Sequence, residues 1–343
     1  METGVGRRDF LKVSGLSAAA LGTAVAAGEE TASAAVAPAP ATKFPKIGAI
    51  TRYSPQKLEF FTAAGYEGVV LTKDDFMDAD KLTDSQIDGI IAASRNSGCR
   101  IISLDFMGNY NHIHPDPAKR RASIQSFIRV LELGHRLGCK FVGTFSGGIP
   151  GATFERQAQE LADVFNEHFL PVCEKLDMTM GWENYPTGNN FATVPAAWHA
   201  VFSRVQSRRL GLEFDPSHLV RQYIDPIRTA WEFKDRILAA HAKDTEIIEP
   251  VLHQVGIHGK GWWRYRIPGQ GLIDWPAFLT VLLQIGFNGG IAVEHEDEFW
   301  DAPPSNNAPE FPQARKDGFI LARRYLGQFL PGRLEASGAA EMP

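Results

Sequence analysis

Short apolar segments alternate with longer amphipathic segments eight times along this chain, and no other feature limits its fold as much. The first pair is a strand-like segment at residues 46–50 and a helical pattern at 55–65. The last pair is a segment at 290–294 and a helical pattern at 310–329. Eight such repeats favour a closed parallel barrel over an open doubly wound sheet. We therefore predict an α/β fold, a (β/α)8 TIM barrel that forms a single domain.

One connection in this pattern is unusually long. Residues 245–271 are rich in Gly, Trp and Arg and contain no clear strand or helix pattern. Long loops inside compact domains are usually functional, so we expect this loop to be a lid over a binding site. Trp262 within it is hard to explain as barrel core, and flat aromatic faces suit sugar rings. Trp262 is therefore a predicted substrate-binding residue.

The N-terminal residues are expected to lie outside the barrel. Arg7 and Arg8 are followed by Phe-Leu-Lys, a weakly apolar Ala/Gly/Leu stretch and an Ala/Pro spacer. This pattern is similar to a bacterial twin-arginine export signal. We expect a periplasmic or extracellular protein without stable membrane insertion after signal cleavage, since the apolar stretch is too short for a span. The predicted boundaries are 1–42 for signal and linker, 43–331 for the barrel and 332–343 for a tail.

Charge and cysteine content exclude several kinds of protein. The formal net charge is -5, so the chain lacks the basic surface that nucleic-acid binding requires. Its three cysteines, Cys99, Cys139 and Cys173, are unclustered. They indicate neither a zinc ribbon nor a disulfide framework, and we expect them to be small buried residues.

Four strand-like segments end in a carboxylate or an imidazole. Glu183, Asp215, His241 and Glu294 each stand at such an end. Each alone could be a helix cap or a solvated loop residue, but a parallel barrel brings the carboxyl ends of its strands to one rim. Three carboxylates and one imidazole then form a site for one divalent cation, with Mn²⁺, Mg²⁺ or Co²⁺ favoured and Zn²⁺ allowed.

Two of these residues could also move protons. Glu183 and Glu294 are separated by two intervening strands, so we expect them on opposite sides of the site. A metal-chelated carbonyl acidifies the neighbouring C–H bond, and two carboxylates could then remove and return a proton. Pairing them as catalytic acid and base is a hypothesis.

Three cationic or titratable residues near the rim are candidates for substrate binding. Lys243 and Arg266 could supply positive charge, although each could equally be a solvated loop cation. His114 follows His112 in a loop and could contact substrate or lie on the surface.

From about residue 46 to 329 the chain resembles the sugar isomerase/epimerase barrels that share the xylose isomerase-like fold. The resemblance is carried by five motifs, Trp182–Asn184, Asp215–His218, His241–Asp244, Arg266–Gly271 and Val293–Asp297.

The resemblance implies that Glu183, Asp215, His241 and Glu294 bind one divalent ion and that the two glutamates act as acid and base. It also implies that His218 contacts the substrate. Dimers and tetramers both occur in that family, so the resemblance leaves a homo-oligomer open.

The sequence also departs from related barrels. Asn189 and Ile247 stand where ketohexose epimerases have a second glutamate and an arginine, so the resemblance does not extend to a free-ketohexose substrate. A related trinuclear zinc endonuclease would need additional histidines at the ends of the fourth and seventh strands, which this chain lacks.

Three functions follow from these observations. The first is a metal-dependent isomerase or epimerase that acts on a small carbohydrate through an enediolate. The second is a lyase or hydratase that uses the same proton abstraction on a 3-keto-glycoside or a keto-inositol. The third is a non-catalytic exported sugar-binding protein, for which loss of a ligand or base would be expected.

Overall fold

The computed structural model describes residues 45–108, 111–301 and 307–330. The predicted export signal at 1–42 and the tail at 332–343 lie outside the described residues. None of the helices in this part of the chain has the length and apolar content needed to cross a membrane.

Eight parallel strands close into a barrel, which confirms the predicted fold. The strands of the described residues are β1 (Lys46–Thr51), β2 (Gly68–Thr72), β3 (Arg100–Asp105), β4 (Phe141–Thr144), β5 (Thr179–Glu183), β6 (Leu210–Phe214), β7 (Ile237–Ala242), β8 (Asp244–Ile247), β9 (Trp263–Arg266) and β10 (Gly290–Val293). All but β8 and β9 belong to the barrel, in the order β1-β10-β7-β6-β5-β4-β3-β2.

Helices follow the barrel strands and pack around them. Several begin at the capping residues that the sequence offers, as at Thr83, where a capping box with Gln86 starts α2. The helices are α1 (Pro55–Ala63), α2 (Asp84–Ser97), α3 (Pro117–Arg136), α4 (Phe154–Val164), α5 (Leu170–Leu176), α6 (Pro195–Phe202), α7 (Pro216–Val220), α8 (Pro226–Glu232), α9 (Glu249–Val255), α10 (Trp275–Gln284) and α11 (Gln313–Leu326).

The helical pattern predicted at residues 154–176 is interrupted by one π-helical turn. This turn, Phe165–Phe169, joins α4 to α5. Pro171 lies just beyond it and has no N–H to donate to the preceding turn, and its ring would collide with the carbonyl four residues earlier. Widening the helix by one residue accommodates the proline without ending the helix.

The segment predicted to be a loop at 245–271 is instead largely ordered secondary structure. We call residues 244–266 the arm. It consists of β8, α9 and β9, and β8 pairs antiparallel with β9 so that Thr245 stands opposite Tyr265. The sequence did not reveal it because β8 follows the barrel strand β7 after a single residue, and its helix is only seven residues long.

One buried carboxylate attaches the arm to the barrel. Asp244 Oδ1 accepts hydrogen bonds from the backbone N–H groups of Thr245 at 2.9 Å and Ile273 at 3.1 Å. Its Oδ2 atom accepts from the Gly269 N–H at 3.0 Å and from Trp275 Nε1 at 2.9 Å. The Asp244 side chain thus accepts four hydrogen bonds, and these attach the arm to the barrel rim.

Candidate metal centre

Four barrel strands bring Glu183, Asp215, His241 and Glu294 together. Glu183 is the last residue of β5, Asp215 follows β6, His241 lies in β7 and Glu294 follows β10. Measured from His241 Nδ1, the nearest carboxylate oxygens of Glu183, Asp215 and Glu294 lie at 3.2, 3.5 and 3.3 Å. One ligand atom from each residue falls within 4.8 Å of all the others. The geometry is therefore that of a single compact ligand set.

Asp215 is held so that one of its oxygens faces this set. Its Oδ1 atom caps α7 by accepting from the Ser217 N–H at 2.7 Å. The side chain of Asn184 also exchanges two hydrogen bonds with the Asp215 backbone, at 2.8 and 2.9 Å. The other carboxylate oxygen is left for the centre.

The hydrogen bonding of the ligand set fits a divalent cation. Both ring nitrogens of His241 and the Asp215 Oδ2 atom are buried, and none of the three forms a well-aligned hydrogen bond among the described residues. Their near neighbours are charged groups: Lys243 Nζ lies 3.2 Å from Asp215 Oδ2, and Glu183 Oε1 lies 3.2 Å from His241 Nδ1. Buried polar atoms without well-aligned hydrogen bonds are costly, and native proteins rarely leave them so. A cation bound between the four side chains would satisfy Asp215 Oδ2 and His241 Nδ1, and oxygen ligands with one imidazole suit Mn²⁺, Mg²⁺, Co²⁺ or Zn²⁺.

The charges of the site are strongly coupled. Burial opposes ionisation of Glu183, but His218 Nε2 and His241 Nδ1, at 3.1 and 3.2 Å from its Oε1 atom, lower its pKa overall. Burial likewise opposes protonation of His241, yet Glu213 and the other surrounding carboxylates raise its pKa well above the usual range. Without a cation, the histidine proton offsets the carboxylates. A bound cation would take over that role and release the proton.

Two buried carboxyl groups, those of Glu213 and Asp105, lie close to His241. Neither was predicted from the sequence as a site residue. Glu213 Oε1 is 3.3 Å from His241 Nε2. One carboxylate oxygen of Asp105 lies within 4.8 Å of a ligand atom of each of these two residues. Burial raises the pKa of Asp105 well above its usual range and also raises that of Glu213. The sequence did contain a signal for Glu213. Side chains alternate along a strand, so Glu213 lies on the same face of β6 as Asp215.

His218 and Lys243, two of the predicted substrate-binding residues, lie inside the cluster. His218 is fully buried, with its Nε2 atom 3.1 Å from Glu183 Oε1. Lys243 Nζ donates to Glu294 Oε2 at 2.6 Å and to Glu296 Oε2 at 3.0 Å. Both side chains therefore border the space in which a cation and its ligand would lie.

Arg266 and Trp262 lie in the arm and have other contacts. The guanidinium of Arg266 donates to Asp297, Glu246 and Gln270 at 2.9, 2.6 and 2.6 Å. The ring of Trp262 is buried and stacks on Tyr223 at 6.0 Å. The structure thus places Arg266 and Trp262 in the framework of the arm and does not bring them into the cluster.

His114 lines a groove among the segments that follow β2, β3, β4 and β5. The groove has a volume of about 750 Å³ and also borders Lys73, Phe145 and Asn189. His112, in contrast, is completely buried between the rings of Phe127 and Phe169. Of the two loop histidines, only His114 is placed where it could meet a ligand.

The family model described as "Xylose isomerase-like TIM barrel" matches residues 58–316 of the chain. Among curated proteins, an inosose dehydratase from Geobacillus kaustophilus (strain HTA426) is 22% identical over 200 residues, which cover 53% of this chain and 64% of that protein. A second curated relative, an uncharacterized protein from Bacillus subtilis (strain 168), is 33% identical over 98 residues, which cover 26% of this chain and 31% of that one. The chain thus spans less than two thirds of the length of the curated relatives it matches.

Solved structures share the fold at low sequence identity. A 3-keto-D-glucoside 4-epimerase from E. coli matches with a TM-score of 0.60 and 15% identity, over 82% of this chain and 99% of that one. A D-allulose 3-epimerase from Methylomonas sp. matches with a TM-score of 0.63 and 15% identity, over 84% of this chain and 99% of that one. At this identity the likeness establishes the barrel alone.

Proposed function

Because the chain belongs to the xylose isomerase-like TIM barrel family, we propose that it is a divalent-metal-dependent sugar isomerase or epimerase. The observation that carries the proposal is the compact set of four ligand atoms, one each from Glu183, Asp215, His241 and Glu294, which lie within 4.8 Å of one another. A divalent cation held there would act as a Lewis acid on the carbonyl and hydroxyl oxygens of a sugar. Epimerases with this fold support a carbohydrate substrate.

We assign the exchange of protons with a bound sugar to Glu183 and Glu294. They come from β5 and β10, with β6 and β7 between them. One carboxylate would remove a proton from the carbon beside the carbonyl, and the other would return a proton to the opposite face. Burial opposes ionisation of Glu294, but the charge of Lys243 lowers its pKa overall, so this group enters the reaction as a base.

An elimination reaction is the second candidate, and one observation favours it. Glu296 shares Lys243 with Glu294, which puts a third carboxyl group beside the base. The charge of Lys243 lowers the pKa of Glu296, but desolvation and the Glu294 carboxylate outweigh it and raise the pKa. A protonated Glu296 could give its proton to a departing hydroxyl or aglycone, as a dehydratase or lyase acting on a keto-inositol or 3-keto-glycoside requires. The similarity to an inosose dehydratase points the same way.

Proton NMR in D₂O would separate these reactions. The mature protein would be loaded with Mg²⁺ and offered free ketoses and a 3-keto-glucoside in separate samples. Deuterium at the carbon beside the carbonyl together with a new epimer or aldose supports the isomerase. Release of water or aglycone with an unsaturated or hydrated sugar supports the lyase.

Two substitutions distinguish an enzyme from a sugar-binding protein. Glu294→Gln removes the proposed base and should abolish turnover while the thermal unfolding midpoint changes little. Glu298→Gln alters an exposed glutamate in the segment after β10 and should leave turnover unchanged. Sugar binding without turnover in the unmodified protein would instead support the non-catalytic hypothesis.

We further propose that the chain is exported through the twin-arginine pathway. The support is the Arg7-Arg8 pair with its apolar stretch and spacer. Replacing both arginines by lysine should leave the protein in the cytoplasmic fraction of a host with that pathway. Export of the doubly substituted chain at the normal rate would refute the proposal.

A further inference from the structure

The arm places one tyrosine directly against the candidate site. Tyr265 lies in β9, and its Oη atom is 2.8 Å from His218 Nδ1 and 2.6 Å from Arg221 Nη1. Its ring meets the His218 ring edge-on at 5.4 Å and lies under Lys243 Nζ at 4.4 Å. The phenol therefore joins a rim arginine to the histidine that borders the ligand set.

The chemistry of the three groups determines the direction of these hydrogen bonds. A guanidinium can only donate, so the Tyr265 oxygen accepts from Arg221. The remaining hydroxyl proton then has His218 Nδ1 as its acceptor. Burial raises the pKa of Tyr265 far above its usual range, so this proton stays on the phenol at neutral pH. In the neutral ring of His218 the single proton then lies on Nε2.

The opposite edge of the His218 ring supports the same assignment. Nε2 lies 3.1 Å from Glu183 Oε1 and 3.2 Å from Asp215 Oδ2, both of which can only accept when ionised. Lys243 Nζ is also near, at 3.4 Å, but it makes shorter contacts with Glu294 and Glu296. The Nε2–H bond thus points at two carboxylate oxygens of the proposed ligand set.

We propose that Tyr265 is a positioning residue that holds His218 in its Nε2–H tautomer, so that this histidine donates to the carboxylates of Glu183 and Asp215 and orients them beside the bound sugar. The inference rests on the proposed function. It gives the arm a role in the reaction, because Tyr265 reaches His218 only while β9 stays paired with β8. The guanidinium of Arg221 stacks at 4.1 Å on the ring of Trp263, which lies in β9 together with Tyr265.

The first test reads the tautomer directly and needs no substrate. Long-range ¹H–¹⁵N spectra of ¹⁵N-histidine-labelled, Mg²⁺-loaded protein would report both ring nitrogens, with the His218 signals assigned by their loss in His218→Asn. We expect an unprotonated Nδ1 and a protonated Nε2 in the unmodified protein. A proton on His218 Nδ1 would overturn the inference without bearing on whether the protein is an isomerase.

The second test removes only the hydroxyl group. Tyr265→Phe keeps the ring packing and should convert His218 to a mixture of tautomers. It should lower kcat at saturating Mg²⁺ about tenfold or more, as loss of an orienting hydrogen bond does in comparable sites. Tyr223→Phe is the matched control, because Tyr223 stacks on Trp262 of the arm and its side chain is exposed.

The two readouts separate the failure of this inference from failure of the proposed function. If no sugar is turned over, the spectra still decide the tautomer. An unchanged His218 spectrum in Tyr265→Phe, or equal kcat in this variant and the Tyr223→Phe control, would remove the positioning role.

Discussion

The Nε2 atom of His241 faces the Oε1 atom of Glu213 at 3.3 Å, on the side of the ring opposite the candidate metal position. When the Nδ1 atom of a histidine binds a cation, its Nε2 atom carries the proton and needs an acceptor. Glu213 is the carboxylate placed to serve. Neighbouring strands, β7 and β6, thus provide both the candidate ligand atom and an acceptor behind it.

Glu213 should therefore control metal affinity without being a ligand. We expect Glu213→Gln to weaken Mn²⁺ binding about tenfold and Glu213→Ala up to about a hundredfold, the range that such orienting partners show. Isothermal titration calorimetry of the metal-free protein would measure both. Glu232→Gln is the control, because it alters an exposed glutamate paired with a histidine at the surface. Equal affinities in all four proteins would exclude the role.

Gly143 in β4 leaves the space that the Glu213 carboxylate occupies. A Cβ atom at this position would lie 1.7 Å from Glu213 Oε2. We expect Gly143→Ala to lower the free energy of unfolding by about 1–3 kcal/mol, the usual cost of overpacking a core. Urea denaturation would measure this loss, and it should shrink in the Gly143→Ala/Glu213→Ala double variant. Gly188→Ala meets no atom within 4 Å and should cost little by comparison.

Asp244 should determine whether the arm stays folded. Asp244→Ala leaves four donors without their acceptor, and we expect it to lower the free energy of unfolding by about 3 kcal/mol or more. Amide hydrogen exchange should also accelerate first in β8 and β9, which the carboxylate attaches to the barrel. Asp235→Ala, which removes an exposed carboxylate paired with Arg208, is the control. Exchange that rises equally across the barrel would contradict a local effect.

His112 should make the fold sensitive to acid. Burial lowers its pKa from 6.5 to about 3, so the unfolded chain binds one more proton between these values. Stability is therefore complete above pH 6.5 and falls by about 1.4 kcal/mol per pH unit below it. From pH 7 to pH 5, the free energy of unfolding measured in urea should fall by about 2 kcal/mol more in the unmodified protein than in His112→Gln. Phe127→Leu perturbs the same packing without a titrating group and should keep the full acid dependence.

The sequence determined the barrel, because strand and helix periods are local properties that repeat eight times between Lys46 and Leu326. It also indicated that Glu183, Asp215, His241 and Glu294 would share a rim, since parallel strands in a barrel leave no other arrangement. The structure finds the four side chains together.

Only the tertiary structure decided what surrounds them. The pairing of β8 with β9, the approach of Tyr265 to His218 and the position of Glu213 behind His241 each join residues from different elements. No local pattern encodes such contacts, because they depend on which strands become neighbours and on how deeply each side chain is buried. Charge and hydrogen bonding at the site follow from that burial, and so the chemistry of individual residues could be assigned only after the chain was folded.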